Sequence, residues 1–153
     1  MEMKRRAIRE SAKDFYTHEE LEAWVESANP TRGREIVVDN EAFVAIADDG
    51  NRIIGLTNLE YLQAPDTTQG EIGQLYVDPD FGGRGVARAL LAAALELAIS
   101  HGSRQLQATA SRRSEPVFAA CGYEQVRRQM KEFNGHTYDS AIMMRQLPVG
   151  GND

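Results

Sequence analysis

One stretch constrains this chain more than any other: Glu71-Ile-Gly-Gln-Leu-Tyr-Val-Asp-Pro-Asp-Phe-Gly-Gly-Arg-Gly-Val-Ala-Arg-Ala-Leu-Leu, ending at Leu91. It reads as a strand, a glycine-rich turn and the opening turns of a helix. Gly82, Gly83 and Gly85 fall within four residues. Glycine reaches positive φ at little cost and lets another group approach the backbone. A long apolar helix, residues 86–100, follows at once. The N-terminus of a helix presents unpaired N–H groups and a partial positive charge, which suits an anion and above all a phosphate. Arg84 and Arg88 add full charges there. The bland alternative is a tight strand–helix connection that binds nothing.

The kind of phosphate ligand is narrowed by what the stretch lacks. A nucleoside-triphosphate loop needs Lys-Ser/Thr after its last glycine, and none follows. A dinucleotide fingerprint needs a third glycine where Arg88 stands, and an acidic residue about 20 positions on, which is missing.

The rest of the chain sets bounds. Its 153 residues suit a single domain with a sizeable core, with residues 148–153 as a loose tail. A net charge of −6 argues against nucleic acid as a partner. It fits a protein that handles cationic or amine substrates, although surface acidity for solubility is the better explanation. One cysteine excludes an internal disulfide and fits a reducing cytoplasm. No apolar run has the length and flanks of a membrane span, and no apolar signal segment follows the basic start. His18, His101, His136 and Cys121 are scattered without metal-ligand spacing, so no metal is expected.

Along the chain, residues 4–15 read as a helix, with Ile8, Ala12 and Phe15 on one face. Thr17-His-Glu-Glu20 is a capping box for a second helix, with Tyr16 and Leu21 as its hydrophobic staple. Leu21, Trp24 and Val25 form that helix's buried stripe, with a place in a substrate pocket as the alternative for Trp24, and Asn29-Pro30 ends the helix. Residues 41–47 and 53–61 read as a hairpin around the turn at 48–51. The strand at 71–77 delivers the glycine loop. Helix 86–100 is apolar on nearly every side, which suits cover by a sheet and by further elements, and Gly102 is placed to end it. Residues 106–110 form a strand parallel to 71–77, reached by a helical crossover. Ser114 is placed to cap a short helix with Pro116 in its first turn and Gly122 at its end. Asn134-Gly135-His136 joins the last two strands as a hairpin. The predicted order is α-α-β-β-β-α-β-α-β-β.

The central stretch resembles the acetyl-CoA loop of the GCN5-related N-acetyltransferases (GNAT), whose pattern is Arg/Gln-x-x-Gly-x-Gly/Ala after a strand ending Leu-Tyr-Val-x-Pro. Leu75-Tyr76-Val77-Asp78-Pro79 matches that strand end, and Gly85-Val86-Ala87 matches the second half of the loop. Gly82 stands where Arg or Gln is usual. The element order also resembles this family over nearly the whole chain, apart from a first strand that is missing before the first helix. Residues 14–24 and the region around Ser111 look like a bacterial branch of small acetyltransferases.

The resemblance implies an α/β fold of the α+β type. Its mixed sheet is mostly antiparallel, its central parallel pair is splayed around the acyl-CoA, and helices lie on both faces. It implies an acetyl-CoA-dependent N-acetyltransferase that moves an acetyl group to an amine of a small molecule or protein in a ternary complex. Acetyl-CoA is then the co-substrate, with its pyrophosphate on the backbone from Gly83 through Arg84, Gly85, Val86 and Ala87 and with Arg88 alongside. A bulge near Leu75 frees N–H groups at Leu75 and Val77, beside Tyr76, for the acetyl carbonyl and the pantetheine arm. Ser111 stands where an Asn that bonds this arm is frequent. By position alone, Arg112 and Arg113 follow the second parallel strand and are either placed to reach CoA phosphates or, equally, a solvated surface pair.

Amine acetylation needs an acceptor for the amine proton, donors for the developing oxyanion and an acid for the thiolate. Glu71 is the candidate base: it precedes Leu75 by four residues, so on a regular strand the two side chains share a face. The alternative is a solvated charge at a strand start. The family's usual acid, a Tyr four residues before the glycine that ends the last helix, is Phe118 here. Cys121 and Tyr123 point elsewhere on a regular helix, and Tyr138 is a distant candidate. Gly82 and Phe118 leave a second reading, a non-catalytic acyl-CoA-binding or regulatory module. A third is transfer of a longer acyl chain, or acylation of an oxygen. The missing first strand leaves the edge at 41–47 uncovered. A homodimer is the expected remedy, and the β-prone Ile36-Val-Val38 in the connector is the alternative cover.

Overall fold

The computed structural model describes residues 2–11, 14–27, 42–47, 52–133 and 135–148. The connector with Ile36-Val-Val38, the turn at 48–51, Ala12, Asn134, and the side chains of Trp24, Val25, Phe43, Val44 and Ile46 lie outside that description. The element order is α1 (Glu2–Ser11), α2 (His18–Ser27), β1 (Ala42–Ala47), β2 (Ile53–Glu60), β3 (Gln69–Val77), a short 3-10 turn (Pro79–Phe81), α3 (Val86–Ser100), β4 (Gln105–Ser111), α4 (Glu115–Ala120), β5 (Glu124–Phe133) and β6 (His136–Gln146). This is the predicted order. The first helix stops at Ser11, four residues short of the expected end, and β3 begins at Gln69.

Six strands form one sheet in the order β1-β2-β3-β4-β6-β5. Every neighbouring pair is antiparallel except β3 and β4, which the crossover through α3 makes parallel. The capping box forms as expected: Thr17 N–H donates to Glu20 Oε1 at 2.8 Å and Glu20 N–H to Thr17 Oγ1 at 3.2 Å. At the C-terminal end of α3, Gly102 takes φ 81°. There Gly102 N–H bonds Ile99 O and Ser103 N–H bonds Ala98 O, both at 3.0 Å, closing the helix as a Schellman motif.

Alternation along the strands separates two faces. On one, α3 and α4 cover Leu59, Ile72, Leu106, Ala108, Ala110, Ala141 and Met143, joined by Leu91, Ala94, Ala98 and Phe118. This is the main core. Gly55 lets α3 sit close: a Cβ there would meet Val86 Cγ1 at 2.7 Å and Leu90 Cδ1 at 3.0 Å. Contrary to the expectation of cover all round, Ala89, Ala92 and Ile99 are exposed, so α3 is buried on its sheet side only. On the opposite face a smaller cluster gathers Ile8, Tyr16, Leu21 and Tyr138, with Phe15 and Tyr76 packed against it. Helices α1 and α2 therefore roof the face that Tyr76 and Tyr138 present.

Candidate active site

Strands β3 and β4 pair through Gln69↔Gln105, Gly70↔Leu106, Glu71↔Gln107 and Ile72↔Ala108, and then part. Beyond that rung β3 continues against β2 as far as Gly55↔Val77, and β4 continues against β6 as far as Ser111↔Ser140. The two strands thus diverge in the middle of the sheet, and the gap between residues 73–77 and 109–111 is the opening that a linear arm needs to enter it.

The register of β2 and β3 slips between Asn58↔Gln74 and Leu59↔Ile72, which makes Gly73 the bulged residue. The expected bulge exists, two residues before Leu75. Gly73 is required here because a Cβ would lie 2.8 Å from Nδ2 of the buried Asn58. The bulge overturns one expectation from spacing. Ile72 and Leu75 both pack into the core under α3. Glu71, one residue before Ile72, therefore points to the opposite face, toward α1 and α2, and does not share a face with Leu75. Its cross-strand partners on that face are Glu60 on β2 and Gln107 on β4.

Backbone direction past the bulge follows from one hydrogen bond. Asp78 N–H donates to Ile54 O on β2 at 2.7 Å. By alternation, the N–H groups of Leu75 and Val77 turn away from β2, toward the gap that β4 has left.

The glycine loop follows. Asp78 caps the 3-10 turn, its Oδ1 accepting from Asp80 N–H at 2.9 Å, with Pro79 in the first turn. Gly83 takes φ 74° and Gly85, the N-cap of α3, takes φ 80°, and a Cβ at either would meet nothing within 4 Å. Both conformations are costly for other residues. The loop therefore leaves open space at both glycines, just ahead of the N-terminus of a 15-residue helix. Arg84 lies over the Phe81 ring, guanidinium carbon to centroid 5.1 Å, and Arg88 is exposed in the first turn of α3. Arg52, at the start of β2, lies over the same ring at 5.4 Å. No spacing pointed to Arg52, because its approach to Phe81 is made by the β2–β3 pairing.

Several predicted side chains are occupied differently. Arg112 Nη1 donates to Phe15 O at 2.9 Å and the guanidinium lies over the Phe15 ring, so it is tied to the α1–α2 junction and not directed at phosphates. Ser114 makes no side-chain cap; its hydroxyl lies 3.1 Å from that of Ser111, at the end of β4. Phe118 is buried in the core, edge-on to Tyr123 with ring centroids 5.0 Å apart. Cys121 is half-buried against the same core. Burial also pushes the Tyr123 phenol well up. Tyr138 donates its hydroxyl to Glu20 O at 2.5 Å, and burial raises its phenol too. Tyr16, read from sequence only as a staple, accepts Arg112 N–H at 2.9 Å at the end of β4 and donates to Asp139 O at 3.4 Å. It thereby ties the α1–α2 junction to the end of β4 and to β6. Its own phenol is raised by burial, opposed by the Arg112 amide.

Comparisons with known proteins agree with this geometry. The sequence profile of the acetyltransferase (GNAT) domain matches residues 12–140. An uncharacterized N-acetyltransferase of Escherichia coli (strain K12), YafP, is 25% identical over 138 residues, covering 90% of this chain and 81% of that protein. A GCN5-related N-acetyltransferase from Rhodopseudomonas palustris has the same fold, with a TM-score of 0.83 at 26% identity over 95% of this chain and 86% of that one. The PaiA N-acetyltransferase of Thermoplasma acidophilum, solved with coenzyme A, superposes with a TM-score of 0.72 at 17% identity over 95% of this chain and 89% of that one. Among the described residues no helix is long and apolar enough to cross a membrane. The chain belongs to the GCN5-related N-acetyltransferase (GNAT) family and is an N-acetyltransferase.

Proposed function

We propose that this enzyme transfers an acetyl group from acetyl-CoA to an amine of a small molecule or protein, by direct attack within a ternary complex. The observation that carries this reading is the parting of β3 and β4 after Ile72↔Ala108, with the glycine loop at the far end of β3. The residues present fit the co-substrate. Gly83 and Gly85, both at positive φ with open space beside them, leave the backbone ahead of α3 accessible as a cradle for a pyrophosphate. The N–H groups of residues 83–87 hold the phosphates, with Arg84 and Arg88 beside them. The gap takes the pantetheine arm, with the backbone of Leu75, Tyr76 and Val77 along one wall and Ser111 at the end of the other.

Acetyl-CoA supplies the activated acetyl group when bound. The chain's own residues do the rest. The N–H groups of Leu75 and Val77, aimed into the gap, orient the carbonyl and receive developing negative charge. Glu71 lies on the acceptor face beside the last shared rung of β3 and β4, where it accepts the proton of the attacking amine directly or through water. Phe118 has no proton to donate and is buried, so the thiolate leaves unassisted or takes a proton from water. The acceptor enters under α1 and α2, past Tyr76, Tyr138 and Tyr16. Acetyl-CoA as donor and a single cysteine both go with a cytoplasmic enzyme.

The test is thiol release from acetyl-CoA across a panel of amine classes, with longer acyl-CoAs and alcohol acceptors alongside. Amine-dependent thiol release with acetyl-CoA is expected. Release that is faster with a longer acyl-CoA, or that answers only to alcohols, overturns the reading.

A further inference from the structure

The turn that delivers the phosphate loop carries two carboxylates, Asp78 and Asp80, shortly before Gly83. Negative charge there opposes phosphate binding at close range. Asp78 is also buried, with its side chain only 2% exposed. A buried carboxylate needs a partner for each oxygen. One is met locally, through the Asp80 N–H on Oδ1. The other comes from a distant helix: Arg6 on α1 places Nη1 3.0 Å from Asp78 Oδ2 and Nη2 2.9 Å from Asp80 Oδ2. One planar guanidinium thus bridges both ends of Asp78-Pro79-Asp80, a fork geometry that a point charge does not reproduce. The same helix is anchored one turn of β3 earlier. Lys4, itself buried, donates from Nζ to Gln74 Oε1 at 2.8 Å and lies over the Tyr76 ring at 4.9 Å.

We propose that Arg6 is a positioning residue for the phosphate loop. By bridging Asp78 and Asp80 it holds the turn that aims the N–H groups of Gly83 and Gly85, and it neutralises part of the negative charge that the two carboxylates place shortly before the loop. This rests on the acetyl-CoA reading and deepens it, because it gives the acceptor-side helix α1 a direct part in donor affinity. Without Arg6 the buried Oδ2 of Asp78 loses its partner, the turn relaxes toward water, and the cradle is no longer pre-organised.

The experiment compares two donors that share the acetylpantetheine arm and differ in whether the pyrophosphate and nucleotide are attached to it. Acetyl-CoA engages the loop, and S-acetylpantetheine, which lacks the pyrophosphate and the nucleotide, does not. Arg6→Met is expected to lower kcat/KM for acetyl-CoA about tenfold more than for S-acetylpantetheine, mainly through KM. Arg6→Lys keeps a cation that reaches one carboxylate but not both, and should show the same donor-selective loss at smaller size. It also decides the matter if Arg6→Met fails to fold. A merely structural role would lower activity on both donors alike. A uniform loss, or an unchanged donor ratio in the variants that fold, overturns the inference alone. Wild-type protein that turned over neither donor would overturn the acetyl-transfer reading together with it.

Discussion

Ile72 and Ala108 form the last rung between the two parallel strands, and Glu71, one residue earlier, faces away from the core that both of them enter. The point where the sheet opens and the carboxylate on its α1–α2 side are therefore adjacent in the chain.

If Glu71 accepts the amine proton, Glu71→Gln lowers kcat by about 10²–10⁴-fold, the usual worth of a positioned base. Acetyl-CoA affinity should be retained, because the phosphate loop is untouched. The rising limb of the pH–rate profile should vanish or shift in the variant. Wild-type turnover by Glu71→Gln across pH would remove Glu71 from the mechanism.

Gly85 sits at φ 80° with its Cβ direction open. Gly85→Val forces a β-branched residue into that conformation and fills the cradle, at a cost of about 1–3 kcal/mol in strain alone. Calorimetry should show CoA binding weakened about tenfold or more. Unchanged binding would place the pyrophosphate elsewhere.

The bulge at Gly73 makes a prediction about stability. A Cβ there lies 2.8 Å from Nδ2 and 3.0 Å from Oδ1 of Asn58, which is 1% exposed and has little room to withdraw. Gly73→Ala should cost about 1–3 kcal/mol, the range for overpacking a closed site. Urea unfolding measures it, and an unchanged midpoint would show that the bulge relaxes freely.

Helices α1 and α2 are joined by a bidentate pair, Arg9 Nε to Glu22 Oε2 at 3.0 Å and Nη2 to Oε1 at 3.1 Å. The hydrogen bonds from Arg9 hold the Glu22 carboxyl below its ordinary range, against a smaller opposing effect of desolvation. A depressed folded-state value means that the pair's contribution is present above the unfolded glutamate pKa and is lost as pH falls through the folded one. The melting-temperature gap between wild type and Arg9→Met should therefore be widest above about pH 5 and shrink as the pH is lowered below about 4. A gap that widens on acidification would contradict the assignment.

Strand β1 ends the sheet, with only β2 beside it among the described residues. An edge of this kind pairs readily with another chain, and a symmetric dimer is the expected outcome. Sedimentation at micromolar concentration should show a dimer. A single monomeric species would refute it, and a dimer whose interface lies far from β1 would remove this reason for it.

Features that depend on neighbours a few residues apart were legible in the chain before folding was considered. The capping box at Thr17 and Glu20, the Gly102 stop, the hairpin at Gly135 and the glycine loop opening α3 are all set by φ preferences and hydrogen bonds that close within one turn. Amphipathic periods then order the ten main elements correctly, because each must bury one face. Only the tertiary structure decided which way Glu71 points. A period of two carries a side chain's face along a strand until a bulge resets it, and the bulged position must be Gly73 because Asn58, fifteen residues earlier, fills the space a side chain would take. The same holds for the cations. Arg112 looked like a phosphate ligand and is held instead by Phe15, 97 residues away, while Arg6, with no motif around it, meets Asp78 at a separation of 72. A guanidinium binds whichever acceptor the packed fold brings within about 3 Å, and nothing local in the chain specifies which one that is.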